Sequence, residues 1–358
     1  MRDSSFAIDR DAAGELVASY DYELPADAVA QRPPRDRESA RLLVLDRASA
    51  RREERVFREI RAFLRAGDAL VVNDTRVVPA RLAARIVEPS RALEILLLRE
   101  VAVRRWRVLV KPAKHARVGA RIAFEPDGPR ALVAESGEAG ERVLEFEEGS
   151  DLAAHVAAHG APPLPPYIRR AAEPSDRDDY QTVYAREPGA IAAPTAGLHF
   201  TERLLDELRA QGVRIVPITL DVGLPTFRPL REDALAAVRL GAESYTISGE
   251  ASEALRDTRA RGGRVVAVGT TVVRALESAW DDALGAPRAG RAETTLFVRP
   301  GHRFRAIDAL VTNFHWPRTS LLVLVAAFAG REAVLAAYAD ALARGFRFAS
   351  YGDAMLIT

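Results

Sequence analysis

The stretch Arg264–Glu277, RVVAVGTTVVRALE, reads as an apolar strand, a Gly-Thr-Thr turn and then a helix carrying Arg274 and Glu277. Three further segments also set polar residues at the end of an apolar run. Asp68–Leu82 (DALVVNDTRVVPARL) follows the buried-strand run Ala69–Val72 with Asn73, Asp74, Thr75 and Arg76. Val311–Leu322 (VTNFHWPRTSLL) comes after the strand-like run Ala306–Leu310 and sets His315 among an amide, an arginine and hydroxyls. Ala193–Thr201 (APTAGLHFT) packs a proline, a glycine hinge, two hydroxyls and His199 between the polar, aromatic Tyr180–Glu187 and the helically spaced Glu202–Gln211. It reads as a loop feeding a helix, with Thr201 as the N-cap that satisfies first-turn amides. In open α/β sheets the carboxyl edge of the strands is where ligands bind, so these four segments mark a candidate site.

Around this frame the rest of the chain falls into place. Phe57–Ala66 has apolar groups at helical spacing and reads as an amphipathic helix. From Arg81 to about Phe146 the character changes to short runs separated by Gly, Pro and charged turns: Leu93–Leu98, Arg105–Val110, Ala120–Phe124, Ala131–Val133 and Arg142–Phe146. Antiparallel β structure is the natural reading. Helices and strands alternate again after Leu152, so the expected class is an α/β main domain (residues 1–80 and 156–358) with a small antiparallel β domain, residues 81–155, inserted. Prolines at 162–166 suit a stiff link back to the main domain, and there are no internal repeats.

With 358 residues, 48% hydrophobic and 28% charged, the chain can bury a sizeable core. It has no cysteine, which excludes disulfides, thiolate metal sites and a cysteine nucleophile, leaving histidine, carboxylate, hydroxyl and arginine groups for catalysis. No spacing points to zinc; His155 and His159 read as one solvated face of an alanine-rich helix, and no metal is expected. No apolar run is as long as a membrane span and the N-terminus has no signal-like run, so a cytoplasmic protein is expected. The net charge of +1 excludes a global basic field, so a nucleic-acid partner would need a local patch. The two lysines, Lys111 and Lys114, lie together in KPAK with His115 and Arg117 close behind. That cluster is the candidate phosphate contact.

Further stretches join these segments to a family. Tyr20–Asp46 (YDYELPADAVAQRPPRDRESARLLVLD), KPAK at 111–114, PLPPYI at 163–168, YQTVY at 180–184, TLDVGLPTFRPL at 219–230 and YGDAMLI at 351–357 follow in order with the four above. In these the chain resembles the S-adenosylmethionine:tRNA ribosyltransferase-isomerases of queuosine biosynthesis along nearly its whole length. The resemblance implies that the inserted domain is a small β-barrel. It also implies that S-adenosylmethionine donates its ribose, with isomerisation, to the aminomethyl group of preQ1, a 7-deazaguanine, in a tRNA anticodon, giving epoxyqueuosine with loss of adenine and methionine. A base must start the sequence at the acidified C5′ hydrogens, and adenine needs a proton or hydrogen bonds as it leaves. His199 is the first choice for proton transfer and His315 the second. Glu277 and Asp74 are alternatives, against the readings that Glu277 pairs with Arg274 and Asp74 caps a turn. Thr270 and Thr271 at a helix N-terminus, Arg76 and Arg274 are candidates for the methionine carboxylate. Thr195, Gly197, Asn313 and Asp353 complete the expected donor site, and Lys111, Lys114 and Arg228 the tRNA contacts. A monomer is expected.

The chain also departs from the family pattern. Asp221 and Pro225 replace a usual histidine and glycine, Gly241 replaces a histidine, and Val272, Val273 and Ala275 replace hydroxyl residues after the Gly-Thr-Thr turn. All lie in motif segments expected to line one site, where lost hydrogen-bonding groups change which substrate is accepted. The competing expectation is therefore a paralogue that uses S-adenosylmethionine with a non-tRNA acceptor, or a catalytically silent descendant that only binds RNA or ligand.

Overall fold

The computed structural model describes residues 15–221 and 229–358. The chain divides into two compact units, one holding the described residues up to Arg76 with Pro166–Arg170 and Gln181–Thr358, the other Val77–Pro165 with Ala171–Tyr180. The boundary thus falls inside the proline run, and the smaller unit extends beyond the expected limits of 81 and 155.

The larger unit is built on a nine-stranded mixed sheet. Its centre is four parallel neighbours: Arg214–Leu220, Ala69–Asn73, Val265–Val268 and Ala309–Asn313. Ala354–Ile357 runs antiparallel to the last of these and leads to Arg41–Leu45 and the edge strand Arg52–Val56; on the other side lie Glu243–Ile247 and Gly290–Thr294. Ala69–Val72 and Val265–Val268 are apolar without a break and fully buried because both faces of the sheet are covered there. Side chains across the sheet still alternate: Ala69, Val71, Val265, Ala267, Met355 and Ile357 enter one core, Leu70, Val72, Val266, Val268, Ala354 and Leu356 the other. The first core is closed by helices Gly249–Ala260, Thr270–Ala279, Ser320–Ala329 and Arg331–Ala343. The second is closed by helix Glu202–Ala210, whose Leu204, Leu205 and Leu208 are buried and stabilise by about 2 kcal/mol each. Thr201 caps that helix as expected, accepting from the Leu204 amide at 3.1 Å.

One helix differs from its sequence reading. Phe57–Ala66 forms only a six-residue 3-10 helix, Phe57–Ala62. Residues three apart eclipse in this tighter helix, so Phe57 and Ile60 point into the second core together.

The smaller unit contains a closed six-stranded antiparallel barrel: Arg81–Ile86, Arg91–Ala102, Arg105–Lys111, Arg121–Phe124, Arg130–Ser136 and Glu141–Phe146. Arg81–Ile86 alternates buried and exposed residues, the period of a strand with one face on a core. Helix Leu152–His159 belongs to this unit and begins at Asp151, whose carboxylate accepts from the Ala154 amide at 2.9 Å. Here the expected solvated histidine face is corrected for His155, while His159 is exposed. His155 is buried, its ring edge-on to Phe124 at 6.1 Å and so close to Gly128 that a methyl group there would collide with it. Among the described residues no group of histidines and carboxylates could hold a metal ion, and no single helix is long and apolar enough to cross a membrane.

Candidate active site

Parallel pairing aligns the carboxyl ends of the central strands, so Asn73, Leu220, Val268 and Asn313 end along one edge of the sheet. Past Val268 the chain turns at Gly269, whose φ of 96° only glycine adopts without strain, and enters helix Thr270–Ala279. Past Asn313 it turns into Phe314 and His315. The turn Thr195–His199 docks between them: the Thr195 hydroxyl donates to Asn313 Oδ1 at 2.7 Å, and Asn313 Nδ2 stands 3.4 Å from His199 Nε2. Gly197 is required by the same docking, since a Cβ would sit 1.9 Å from the Tyr184 hydroxyl.

Two small recesses open here, with floors of about 20 and 30 Å³, each enough for one water. One is lined by Pro194, Thr195, Gly269, Thr270 and Thr271 among others, the second by Tyr167, Trp316, Thr319 and Ser350 among others; both share Thr195, Asn313, His315 and Leu321. Three of the four sequence segments therefore meet at one place, with His315 in the common wall.

Both candidate imidazoles are held neutral. Burial, helped by the nearby cations Arg347 and Arg37, pushes His199 down to about 3; burial alone does the same to His315. Their surroundings differ. His315 faces the recesses, with Nε2 2.7 Å from the Thr312 hydroxyl. His199 is 3% exposed, packs on the Phe57 ring at 5.0 Å, lines neither recess and reaches the site through Asn313. Of the two imidazoles, His315 is thus the one at the recesses, while the His199 ring is packed on Phe57 in the core.

These shifts carry a pH dependence of stability. Both histidines have folded values below the unfolded 6.5, so the unfolded chain takes up protons that the folded chain refuses once the pH falls below 6.5. Stability is expected to drop as the pH is lowered from about 6.5 toward 3, by about 1 kcal/mol per pH unit for His199. Urea midpoints of the wild type and His199→Gln at pH 7 and pH 5 test this. A variant that loses as much stability between the two pH values as the wild type would rule out the neutral buried imidazole.

The other expected site residues are placed elsewhere. Asp74 is buried and fully engaged, accepting from the Thr219 hydroxyl at 2.7 Å and the Arg186 guanidinium at 2.8 Å. Glu277 accepts from the Arg305 and Ala306 amides and pairs with His302. It does not pair with Arg274. The Arg274 guanidinium instead meets Glu243, both side chains under a tenth exposed, and donates to the Leu296 carbonyl at 2.9 Å. Asp353 braces its surroundings by accepting from the Arg41 and Arg347 amides. Arg76 is an exposed residue of the strand Thr75–Val77. None of these five lines a recess, and Arg228 and Pro225 lie outside the described residues. Tyr167, Trp316 and Ser350, by contrast, line the site without having been singled out. Tyr167 lies in the PLPPYI stretch and Trp316 in VTNFHWPRTSLL; nothing in the sequence signals Ser350.

On the barrel, Lys111, Lys114 and Arg117 are exposed around the 3-10 turn Ala113–His115. Beneath them the buried Arg142 guanidinium donates to the carbonyls of Ala113 and Ala116 at 2.8 and 2.6 Å, fixing the turn's shape. His115 is held below its usual value by burial and by the cations Arg91, Lys114 and Arg117, the mark of a local positive field.

A family profile described as "Queuosine biosynthesis protein" matches residues 17–357. The chain belongs to that family. A relative from Citrifermentans bemidjiense named S-adenosylmethionine:tRNA ribosyltransferase-isomerase is 50% identical over 96% of this chain and 99% of its own length. One of the same name from Anaeromyxobacter dehalogenans is 51% identical over 95% and 99%. The crystal structure of an S-adenosylmethionine tRNA ribosyltransferase from Thermotoga maritima is similar with a TM-score of 0.53 and 37% identity, covering 95% of this chain and 99% of that one. An α/β main domain with an inserted antiparallel barrel is thus the fold in which this queuosine biosynthesis protein works.

Family membership sharpens the meaning of the departures. Val272, Val273 and Ala275 are fully buried in the first core, and Gly241 is exposed with open space about it. These positions do not line the recesses, so the expectation that all the replacements fall in one site is corrected. A helix shows only one narrow face to a site, and Thr270 and Thr271 occupy that face here.

Proposed function

We infer that this chain is an S-adenosylmethionine-dependent tRNA ribosyltransferase-isomerase of queuosine biosynthesis, with the carboxyl edge of the sheet, where the paired recesses open, as its donor site. The observation that carries the reading is the convergence of Thr195, Asn313 and His315 at the carboxyl edge of the sheet in a chain so similar to enzymes of that name. Thr270 and Thr271, at the start of a ten-residue helix, take the methionine carboxylate on amide groups aligned with the helix dipole. His315 is a neutral imidazole through physiological pH, so it starts as a proton acceptor or hydrogen-bond partner and not as an acid. It is the group placed to act at the ribose. Asn313 orients the sugar, its amide held by Thr195 on one side and His199 on the other; His199 is a positioning residue. The acceptor is the aminomethyl group of preQ1 in a tRNA anticodon, and the protein acts as a cytoplasmic monomer. No step calls on a metal.

Incubation with S-adenosylmethionine and preQ1-tRNA is expected to release adenine and methionine together and add a ribose-derived mass to the tRNA. Adenine release only with a non-tRNA acceptor would make the chain a paralogue; binding of S-adenosylmethionine without consumption would make it a binding protein.

For the tRNA itself, the barrel turn supplies the phosphate contacts. Exchanging both Lys111 and Lys114 for alanine is expected to weaken tRNA binding roughly ten-fold at moderate salt and to reduce the slope of log affinity against log salt by about 2. Equal slopes for wild type and variant would assign those lysines to solvated surface.

A further inference from the structure

One carboxylate on the active edge of the sheet has no partner. Asp221 directly follows the strand Arg214–Leu220, its amide still donating to the Ser244 carbonyl at 3.0 Å, so it stands at the carboxyl end of that strand. Val216, Ile218 and Leu220 enter the first core, and Asp221 continues the opposite face, the one on which the turn Thr195–His199 packs through Ala196. The side chain is half-buried against Gly189, where a Cβ would sit 2.7 Å from Asp221 Oδ1; the absence of one leaves the carboxylate its place. From Gly189 the chain runs through Pro194 into Thr195. Among the described residues no hydrogen bond or ion pair reaches the Asp221 carboxylate; burial holds its pKa above the usual carboxylate value, and Arg291 acts on it only from a distance. Asp74, one strand over, shows the contrast, with Thr219 on one oxygen and Arg186 on the other. A half-buried carboxylate left alone is costly, and a cation brought within hydrogen-bond distance offsets that cost.

We propose that Asp221 is a specificity-determining residue for the acceptor and receives the protonated aminomethyl group of preQ1. The assignment rests on the reading of this edge as the place of ribosyl transfer to preQ1-tRNA. Both substrates carry an amine, and the strand order chooses between them. The donor lies at the ends of Val265–Val268 and Ala309–Asn313, with its carboxylate at Thr270, and the strand Ala69–Asn73 stands between these and the strand that ends in Asp221. Two strand spacings are about 10 Å. The ammonium of S-adenosylmethionine is on the carbon next to its carboxylate, so a donor held at Thr270 keeps that ammonium out of reach of Asp221. The acceptor's amine is the cation that remains. Unmodified guanine has no aminomethyl group, so a negative charge here separates the modified base from the unmodified one. Aspartate in place of the family's usual histidine supplies that charge, since an ionised carboxylate only accepts hydrogen bonds, which suits an ammonium donor.

The test uses the whole protein as wild type and as Asp221→Asn, which keeps the shape of the side chain and removes its charge. Each is titrated with preQ1-tRNA, with the same tRNA bearing unmodified guanine, and with S-adenosylmethionine, and thermal melts check folding. The wild type is expected to bind preQ1-tRNA about ten- to a hundred-fold more tightly than the guanine form, the equivalent of one charged hydrogen bond. Asp221→Asn should lose most of that preference, with S-adenosylmethionine binding and melting temperature nearly unchanged. The assignment is overturned if the wild type shows no preference between the two tRNAs, if Asp221→Asn keeps the preference, or if the variant loses affinity for S-adenosylmethionine instead. These outcomes leave the overall reaction untouched, because the wild type would still release adenine from S-adenosylmethionine in the presence of preQ1-tRNA. A wild type that never does so fails the functional reading instead.

Discussion

Replacing His315 with alanine is expected to slow turnover by about two to four orders of magnitude while leaving the melting temperature nearly unchanged. The ring is only partly buried, and its loss removes one side-chain hydrogen bond, to Thr312. The segment itself is held by its backbone: the His315 amide donates to the Tyr338 hydroxyl at 3.1 Å, and its carbonyl accepts from the Tyr22 hydroxyl. Both bonds survive the substitution. Removing the imidazole takes away the one titratable side chain shared by the two recesses. His199→Ala should behave differently, losing both rate and stability, since that ring is packed on Phe57 inside the core. Single-turnover rates and thermal melts of the two variants separate the roles. A His315 variant with wild-type turnover would remove it from the mechanism.

The second large effect falls on stability. Glu243→Ala strands the Arg274 guanidinium in the core, 4% exposed, with the Leu296 carbonyl as its other acceptor. Breaking a buried pair from one side costs about 3–5 kcal/mol, a fall in melting temperature of about 4–7 °C for a protein of this size. Replacing both partners, Glu243→Leu with Arg274→Met, should recover most of that loss, because no charge then remains buried. If Arg274 instead held the methionine carboxylate, Arg274→Met would raise the KM for S-adenosylmethionine and leave the melting temperature in place. Calorimetric melts of the single and double variants, with KM beside them, distinguish the two.

The reversal over Arg274 shows where reading from sequence runs out. Helical spacing places Arg274 and Glu277 on adjacent positions, and a surface helix would pair them. This helix is buried on most of its circumference, so each charged side chain is drawn to the nearest partner on another element: Glu277 to the amides of 305 and 306, Arg274 to Glu243. The same limit applies to Asp74. Its position after a buried strand marked it as a site carboxylate, yet the neighbouring strand supplies Thr219 and the chain beyond supplies Arg186, and nothing local announces either. Trp316 and Tyr167 were legible only as members of motifs, since an aromatic residue in sequence does not say whether its faces are spent on the core.

What the sequence determined alone is the sheet and its active edge. Unbroken valine and leucine runs can be buried only on both faces, and such strands, when parallel, end together; polar residues placed just after them must gather on one edge. The capped helix after Thr201, the glycine turn before Thr270 and the antiparallel insert follow from equally local rules. Which of the gathered groups faces the substrate was decided by tertiary structure. A side chain's protonation, partner and exposure depend on atoms that packing brings from far along the chain, as Asn313 is brought between Thr195 and His199.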